Sequence, residues 1–156
     1  MLRRAVGAVV FQGNKFLIVH KTNINTLEGK RNIKGEWDFI KGGVEETDKG
    51  LYHALLRELQ EETGSTDYKI IKEFPEKIRF EFPDELKVKL GYAKQETTMF
   101  LVEFLGDIDS LNPKDNEISS IEFMEKDDVL DILTHQDTKD FLGACLFNTA
   151  GKERRS

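Results

Sequence analysis

The sequence predicts an α/β or α+β fold, a sandwich of helices around a mixed sheet. Three features carry that expectation: β-prone runs come first, one helix with a single apolar face follows, and further strand runs give way to two helical stretches. Ala5 to Gln12 is apolar with small residues and reads as a strand, ended by the tight-turn dipeptide Gly13-Asn14. Phe16 to His20 returns as a second strand. Thr22 to Gly35 is polar, contains Gly29 and Gly35 and has no periodicity, so it reads as a loop. Glu36 to Ile40 is a short extended segment leading into Gly42-Gly43. From Lys49 to Thr63, Leu51, Ala54, Leu55 and Leu59 recur at three- and four-residue spacings, which predicts a helix. Thr47 or Asp48 is placed to cap its start, and Gly64 to end it. Ile70 to Phe82 and Thr97 to Leu105 read as strands around a polar stretch that contains Pro83 and Gly91. Ile118 to Met124 reads as one more strand, and Lys126 to Leu133 and Thr138 to Phe147 as helical.

Length and composition narrow the class. A chain of 156 residues is the size of one domain, expected here over residues 1–156, and can bury a core without disulfides or structural metal. Charged residues at 33% beside 38% hydrophobic residues exclude a disordered chain. The lone cysteine, Cys145, excludes an internal disulfide framework, and no signal peptide precedes the first strand. Both point to the cytoplasm. No apolar run is long enough to span a bilayer, so no membrane partner is expected. A net charge of −6 argues against a general nucleic-acid binder. Residues 1–41 nevertheless hold eight Lys/Arg against Glu28, Glu36 and Asp38. A basic first quarter followed by an acidic helix suits a site that sets cations against a polyphosphate.

The helix carries the chemistry. At 3.6 residues per turn Glu58 and Glu62 fall on one stripe with Glu61 beside them, opposite Leu55 and Leu59. Like charges at that spacing repel, so their clustering needs a reason. Hard divalent cations provide one, because they take oxygen ligands and are shared between carboxylates and substrate phosphates. Gly42-Gly43 lets the backbone approach a ligand closely just ahead of the helix.

Gly43, Glu46, Arg57, Glu58, Leu59, Glu61, Glu62 and Gly64 stand in register with the Nudix box, which this segment resembles. Lys49 departs from the pattern, standing where the family has its first glutamate, and Ser65 stands where it has an apolar residue. The resemblance implies a Nudix α/β/α sandwich and a hydrolase acting on phosphoanhydride bonds with Mg²⁺ or Mn²⁺. It implies Glu58, Glu61 and Glu62 as metal ligands, Glu58 and Glu61 as catalytic residues, and Arg57 as the group that orients a carboxylate. Lysine at position 49 reverses a charge, so metal binding is expected to be weakened; the rival is a Nudix module that binds nucleotides without cleaving them.

A second pattern lies outside the box. Phe82-Pro83 through Gly91-Tyr92, then Gln95 and Phe100-Leu101-Val102, is similar to the same region of diadenosine polyphosphate hydrolases and RNA 5′-pyrophosphohydrolases. Trp37 to Gly43 and Arg3, four residues before Gly7, are similar to that group as well. The similarity implies Arg3, Lys41, Gly43, Tyr92 and Gln95 as substrate-binding residues, and Glu117 as a further metal ligand or general base. The expected substrate is a bis(5′-nucleosyl)-tetraphosphate or the 5′ end of a triphosphorylated RNA, with house-cleaning of nucleoside triphosphates as the alternative. Tyr92 and Phe82 are candidates to stack on a base.

Overall fold

The computed structural model describes residues 2–26, 29–114 and 118–147. Its elements run β1 (Leu2–Gln12), β2 (Lys15–Thr26), β3 (Gly29–Asp38), β4 (Ile40–Gly43), α1 (Leu51–Thr63), β5 (Tyr68–Glu81), α2 (Asp84–Leu90), β6 (Lys94–Phe104), β7 (Ile118–Glu125), α3 (Lys126–Ile132) and α4 (Gln136–Leu142). A single turn of 3₁₀ helix at Ile108–Ser110 and a π-helical turn at Gly143–Phe147 complete them.

One open mixed sheet follows the order β3-β2-β1-β6-β5, with β4 paired to β1 and β7 to β2. β1 is the axis, antiparallel to β4 through Ala5–Ala8 and parallel to β6 from Leu2 to Phe11. Successive side chains of a strand point to opposite faces, and β1 is buried on both. Val6, Ala8 and Val10 pack with Ala54, Leu55 and Leu59 of α1. Val9 packs on the other side with Val129 of α3, Leu133, and Phe141 and Leu142 of α4. Helices therefore cover both faces, as the expected α/β/α sandwich requires. Among the described residues no helix is long and apolar enough to cross a membrane.

Three local expectations are corrected. Thr22 to Gly35 is not a loop: β2 runs on to Thr26 and β3 begins at Gly29, with Asn23 opposite Asn32 and Thr26 opposite Gly29. Backbone ladder bonds hold such a ribbon together whether or not its side chains alternate, so a polar sequence hides it. The stretch between β5 and β6 is not merely polar but holds α2, which starts after Pro83 and ends at Gly91. Asp84 and Glu85 lie in its first turn and Lys87 and Lys89 in its last, the signs that favour a helix dipole. The final helical stretch, expected over Thr138 to Phe147, is present as α4 continued by the π-helical turn from Gly143.

The cap of α1 is the third correction. Neither Thr47 nor Asp48 supplies it; the N-cap is Gly50 at φ 150°, with no side-chain cap. A side chain would strain that backbone conformation, and Asp48 has a stronger partner elsewhere. Gly64 does end the helix, left-handed at φ 79°, its N–H bonding the Gln60 carbonyl at 2.8 Å.

Candidate functional site

One helix glutamate, Glu58, meets the double glycine. Glu58 lies against Gly42 so closely that a Cβ built there would overlap its carboxylate. Register explains why position 42 faces α1: Ile40 belongs to the core on the α1 side, and Gly42 is the next residue on that face. Gly43 faces the other way, where the Arg3 guanidinium covers it, its Nη2 only 2.8 Å from where a Cβ would stand. The two glycines thus separate an acidic side from a basic one by a bare strand end.

Arg57 ties the acidic side together. Its Nε and Nη2 donate to Asp48 Oδ1 and Oδ2 at 2.8 and 2.9 Å, a bidentate pair. Nη2 also donates to the Gly43 carbonyl at 3.0 Å. Nη1 donates to Glu58 Oε1 at 3.0 Å and to Glu61 Oε2 at 3.1 Å. One guanidinium therefore connects the loop before α1, the strand end and two of the three box glutamates. The three carboxylates differ in exposure: the Glu61 side chain is 50% exposed and Glu58 13%, while Glu62 is buried at 1%.

The Asp48 side chain is wholly covered. The Arg57 bonds pull its carboxyl down to about 2, from an ordinary value of 3.8, and Asp48 in turn raises Arg57 further above its ordinary range. Because the folded value is depressed, this pair stabilises the fold above about pH 4, and the contribution disappears as pH falls through about 2. Wild type and Asp48→Asn are thus expected to differ in urea-unfolding midpoint at pH 6 and to converge near pH 2. A constant difference down to pH 2 would contradict the pairing.

On the opposite face, parallel pairing puts Arg3 beside Gln95 although 92 residues separate them in the chain. Arg3 Nη1 donates to Gln95 Oε1 at 2.7 Å, and Gln95 Nε2 donates to Thr97 Oγ1 at 3.2 Å. Gln95 is buried and sets the direction of Arg3. Phe80 is its partner on β5, and the Phe80 ring meets Phe82 edge-on at 4.9 Å between centroids. Tyr92 lies half-buried in the loop between α2 and β6.

Lys41 is more deeply committed than the sequence suggests. Its Nζ lies 3.1 Å from Asp38 Oδ1 and donates to Thr138 Oγ1 of α4 at 2.9 Å. Burial alone would raise the Asp38 carboxyl, but Lys41 and Lys21 together hold it below its ordinary value. Lys41 therefore ties the strand end to α4. Glu117 lies outside the described residues. Lys49 is exposed on the surface, its backbone N–H donating to His53 Nδ1 at 2.8 Å. Cys145 is buried, and burial pushes its thiol up to about 11, away from nucleophilic character.

Sequence reasoning missed Asp48 as the partner of Arg57 and Asp38 and Thr138 as partners of Lys41. An acid nine residues before an arginine is not a helix spacing, and Thr138 reaches Lys41 only through the packing of α4 on the sheet. Phe80 was hidden in an ordinary strand pattern.

The residues present suit a hard divalent cation in part. Oxygen donors of the right kind lie on one helix face beside a glycine that leaves room, yet among the described residues no three acidic, histidine or cysteine side chains are gathered into a ready cage. Mg²⁺ usually takes one or two carboxylates and completes its octahedron with water and substrate phosphate, so a partial cage fits its chemistry.

Residues 1–145 match the NUDIX domain family. Two curated relatives are RNA pyrophosphohydrolases, from Nitratiruptor sp. (30% identical over 104 residues, 64% of this chain and 66% of the relative) and from Campylobacter jejuni (33% over 103 residues, 64% of each). The chain thus spans just under two thirds of the length of these relatives. In fold it is similar to an Ap4A hydrolase from C. elegans, with a TM-score of 0.70 at 18% identity, covering 96% of this chain and 98% of that one. Glu58 and Arg57 of the box meet the double glycine, and the chain belongs to the NUDIX domain family.

Proposed function

We propose that this chain is a divalent-cation-dependent pyrophosphohydrolase that cleaves a phosphoanhydride bond of a nucleoside polyphosphate in the cytoplasm. One observation carries the reading: Glu58 fills the space beside Gly42 while Arg3 covers Gly43, so a carboxylate and a guanidinium flank the same strand end. A polyphosphate crossing that edge meets carboxylates that hold cations on one side and a guanidinium on the other.

Glu58, Glu61 and Glu62 would hold Mg²⁺ or Mn²⁺, with Glu117 a further candidate ligand or base, and the cation would supply charge neutralisation and activation of the attacking water. Arg57 holds Glu58 and Glu61 in place. Arg3, aimed by Gln95, pairs with a phosphate oxygen, and the Gly43 backbone lets the chain of phosphates pass closely. Strands lie about 4.8 Å apart, so Phe80 on β5 stands roughly 10 Å from Arg3 on β1, with Gln95 between them. Phe82 and Tyr92, close to that end of the sheet in the chain, complete a surface on which a nucleobase can stack while its phosphates reach Arg3. Lys41 acts from beneath, fixing the strand end against α4.

Relatives named RNA pyrophosphohydrolase and a fold neighbour named Ap4A hydrolase support a reading in which the substrate is an RNA 5′ end or a dinucleoside polyphosphate such as diadenosine tetraphosphate. A long polyanion with a base at its end uses both Arg3 and the aromatic surface. We therefore expect diadenosine tetraphosphate or 5′-triphosphorylated RNA to be cleaved faster than ADP-ribose or free ATP. Competition at equal concentration, with products separated by ion exchange, tests this. If ATP wins, the house-cleaning alternative replaces the substrate assignment; if ADP-ribose wins, the assignment fails outright.

A further inference from the structure

The structure contains a carboxylate that the box pattern does not assign. At position 49, where the family has its first glutamate, this chain has an exposed lysine whose backbone N–H is engaged by His53. One residue earlier, Asp48 is wholly covered and takes both the Nε and the Nη2 hydrogens of Arg57. We infer that Asp48 is the positioning residue for the cation site, anchoring Arg57 so that its remaining N–H groups hold Glu58, Glu61 and the Gly43 carbonyl.

Geometry supports a directional clamp rather than a mere ion pair. A guanidinium is planar, and two bonds to one carboxylate fix that plane. With Nε and Nη2 so fixed, Nη1 is the group directed at Glu58 Oε1 and Glu61 Oε2, one oxygen of each. The same carboxylate closes the turn before the helix, since Asp48 Oδ2 accepts the Glu45 N–H at 2.8 Å and the Asp48 N–H returns to the Glu45 carbonyl at 3.0 Å. Loop, strand end and helix are thereby set by one covered acid. Without its charge, Arg57 is released to swing its other donors onto Glu58 and Glu61, in competition with a cation. Lys49 then needs no compensating ligand, because the anchoring acid stands beside it in the chain.

The inference rests on the proposed cation-dependent reading, and two separate measurements distinguish its failure from the failure of that reading. The first follows Mn²⁺ binding by electron paramagnetic resonance in wild type, Asp48→Asn, Asp48→Glu and Lys49→Glu, each checked for folding by circular dichroism. Asp48→Asn is expected to weaken Mn²⁺ binding about 10- to 100-fold, the usual cost of removing a group that orients a metal ligand. Asp48→Glu, which keeps the charge, is expected to recover most of that affinity, and Lys49→Glu to stay close to wild type. In turnover assays the Asp48→Asn defect should lie in the Mn²⁺ concentration required, with kcat at saturating metal largely kept. The second measurement is the ¹H–¹⁵N resonance of the Arg57 Nε–H, expected to be shifted and slow to exchange in wild type and to lose both properties in Asp48→Asn. Unchanged Mn²⁺ affinity in Asp48→Asn, a Lys49→Glu effect as large as that of Asp48→Asn, or an Arg57 resonance indifferent to position 48 would each overturn the inference. If wild type binds no Mn²⁺ at all, the cation reading fails, and the resonance still decides whether Asp48 fixes Arg57.

Discussion

Glu58→Gln is expected to lower turnover by two to four orders of magnitude while leaving the fold intact. Glutamine keeps the size and shape of the side chain, so its packing beside Gly42 survives and its N–H and carbonyl can still meet polar neighbours. What disappears is the negative charge by which position 58 would hold a cation. Removing a ligand from a metal that carries transition-state charge costs several kcal/mol, and each 1.4 kcal/mol is about tenfold in rate. Glu61→Gln should act in the same direction. Its side chain is 50% exposed and little packing depends on it, so any loss there reads directly on chemistry. Glu62→Gln is also expected to lose rate, although at 1% exposure it tests packing as well as charge. Activity is measured as kcat at saturating Mg²⁺, with circular dichroism and thermal unfolding on the same samples. Near wild-type rates in folded Glu58→Gln would remove this residue from the cation site.

Gly42→Ala should be nearly as damaging for a different reason. The added Cβ needs the space that the Glu58 carboxylate occupies, so either the strand end or the glutamate must move. A misplacement of about 1 Å at a reacting centre can cost about 10²-fold in rate, and that is the expected fall in kcat. Gly43→Ala makes a contrasting control. There the obstacle is the far end of the flexible Arg3 side chain, which can swing aside. Its loss should therefore appear mainly in KM, through a weakened phosphate contact, with kcat less affected. Equal kcat losses in both variants would show that the two glycines serve the backbone alone and do not separate a cation side from a phosphate side.

How much of this could be read from sequence depends on the distance over which each feature is encoded. α1 was legible because its apolar residues repeat at the helical period, a property of a few adjacent turns, whereas the expectation that its acids all lie opposite Leu55 and Leu59 is corrected for Glu62, which is buried on their side of the helix. Gly64 was legible because a left-handed residue at a helix end favours glycine. The outer hairpin of β2 and β3 was not, because its pairing is a backbone ladder between polar segments. α2 has seven residues, two turns at most, too few for a period to emerge from Asp84 to Leu90. Asp48 was read as a cap, a sound local expectation that a charged partner nine residues away overrode. The contact of Arg3 with Gln95 depends on the parallel pairing of β1 and β6, and the commitment of Lys41 to Asp38 and Thr138 on the docking of α4. Family resemblance named Arg3, Gln95 and Lys41 as a set; only the fold separates the one that faces the double glycine from the two that hold other groups in place.

On the proposed function, the α1 glutamates hold a cation for cleavage of a polyphosphate at the Gly42-Gly43 edge. The most direct test is product release from diadenosine tetraphosphate, followed by ion exchange, in chelator and then across a Mg²⁺ titration, for wild type beside Glu58→Gln. The expected result is no turnover in chelator, saturable recovery with Mg²⁺ in wild type, and little recovery in Glu58→Gln. Cleavage that persists in chelator, or Mg²⁺ recovery equal in both proteins, would contradict it.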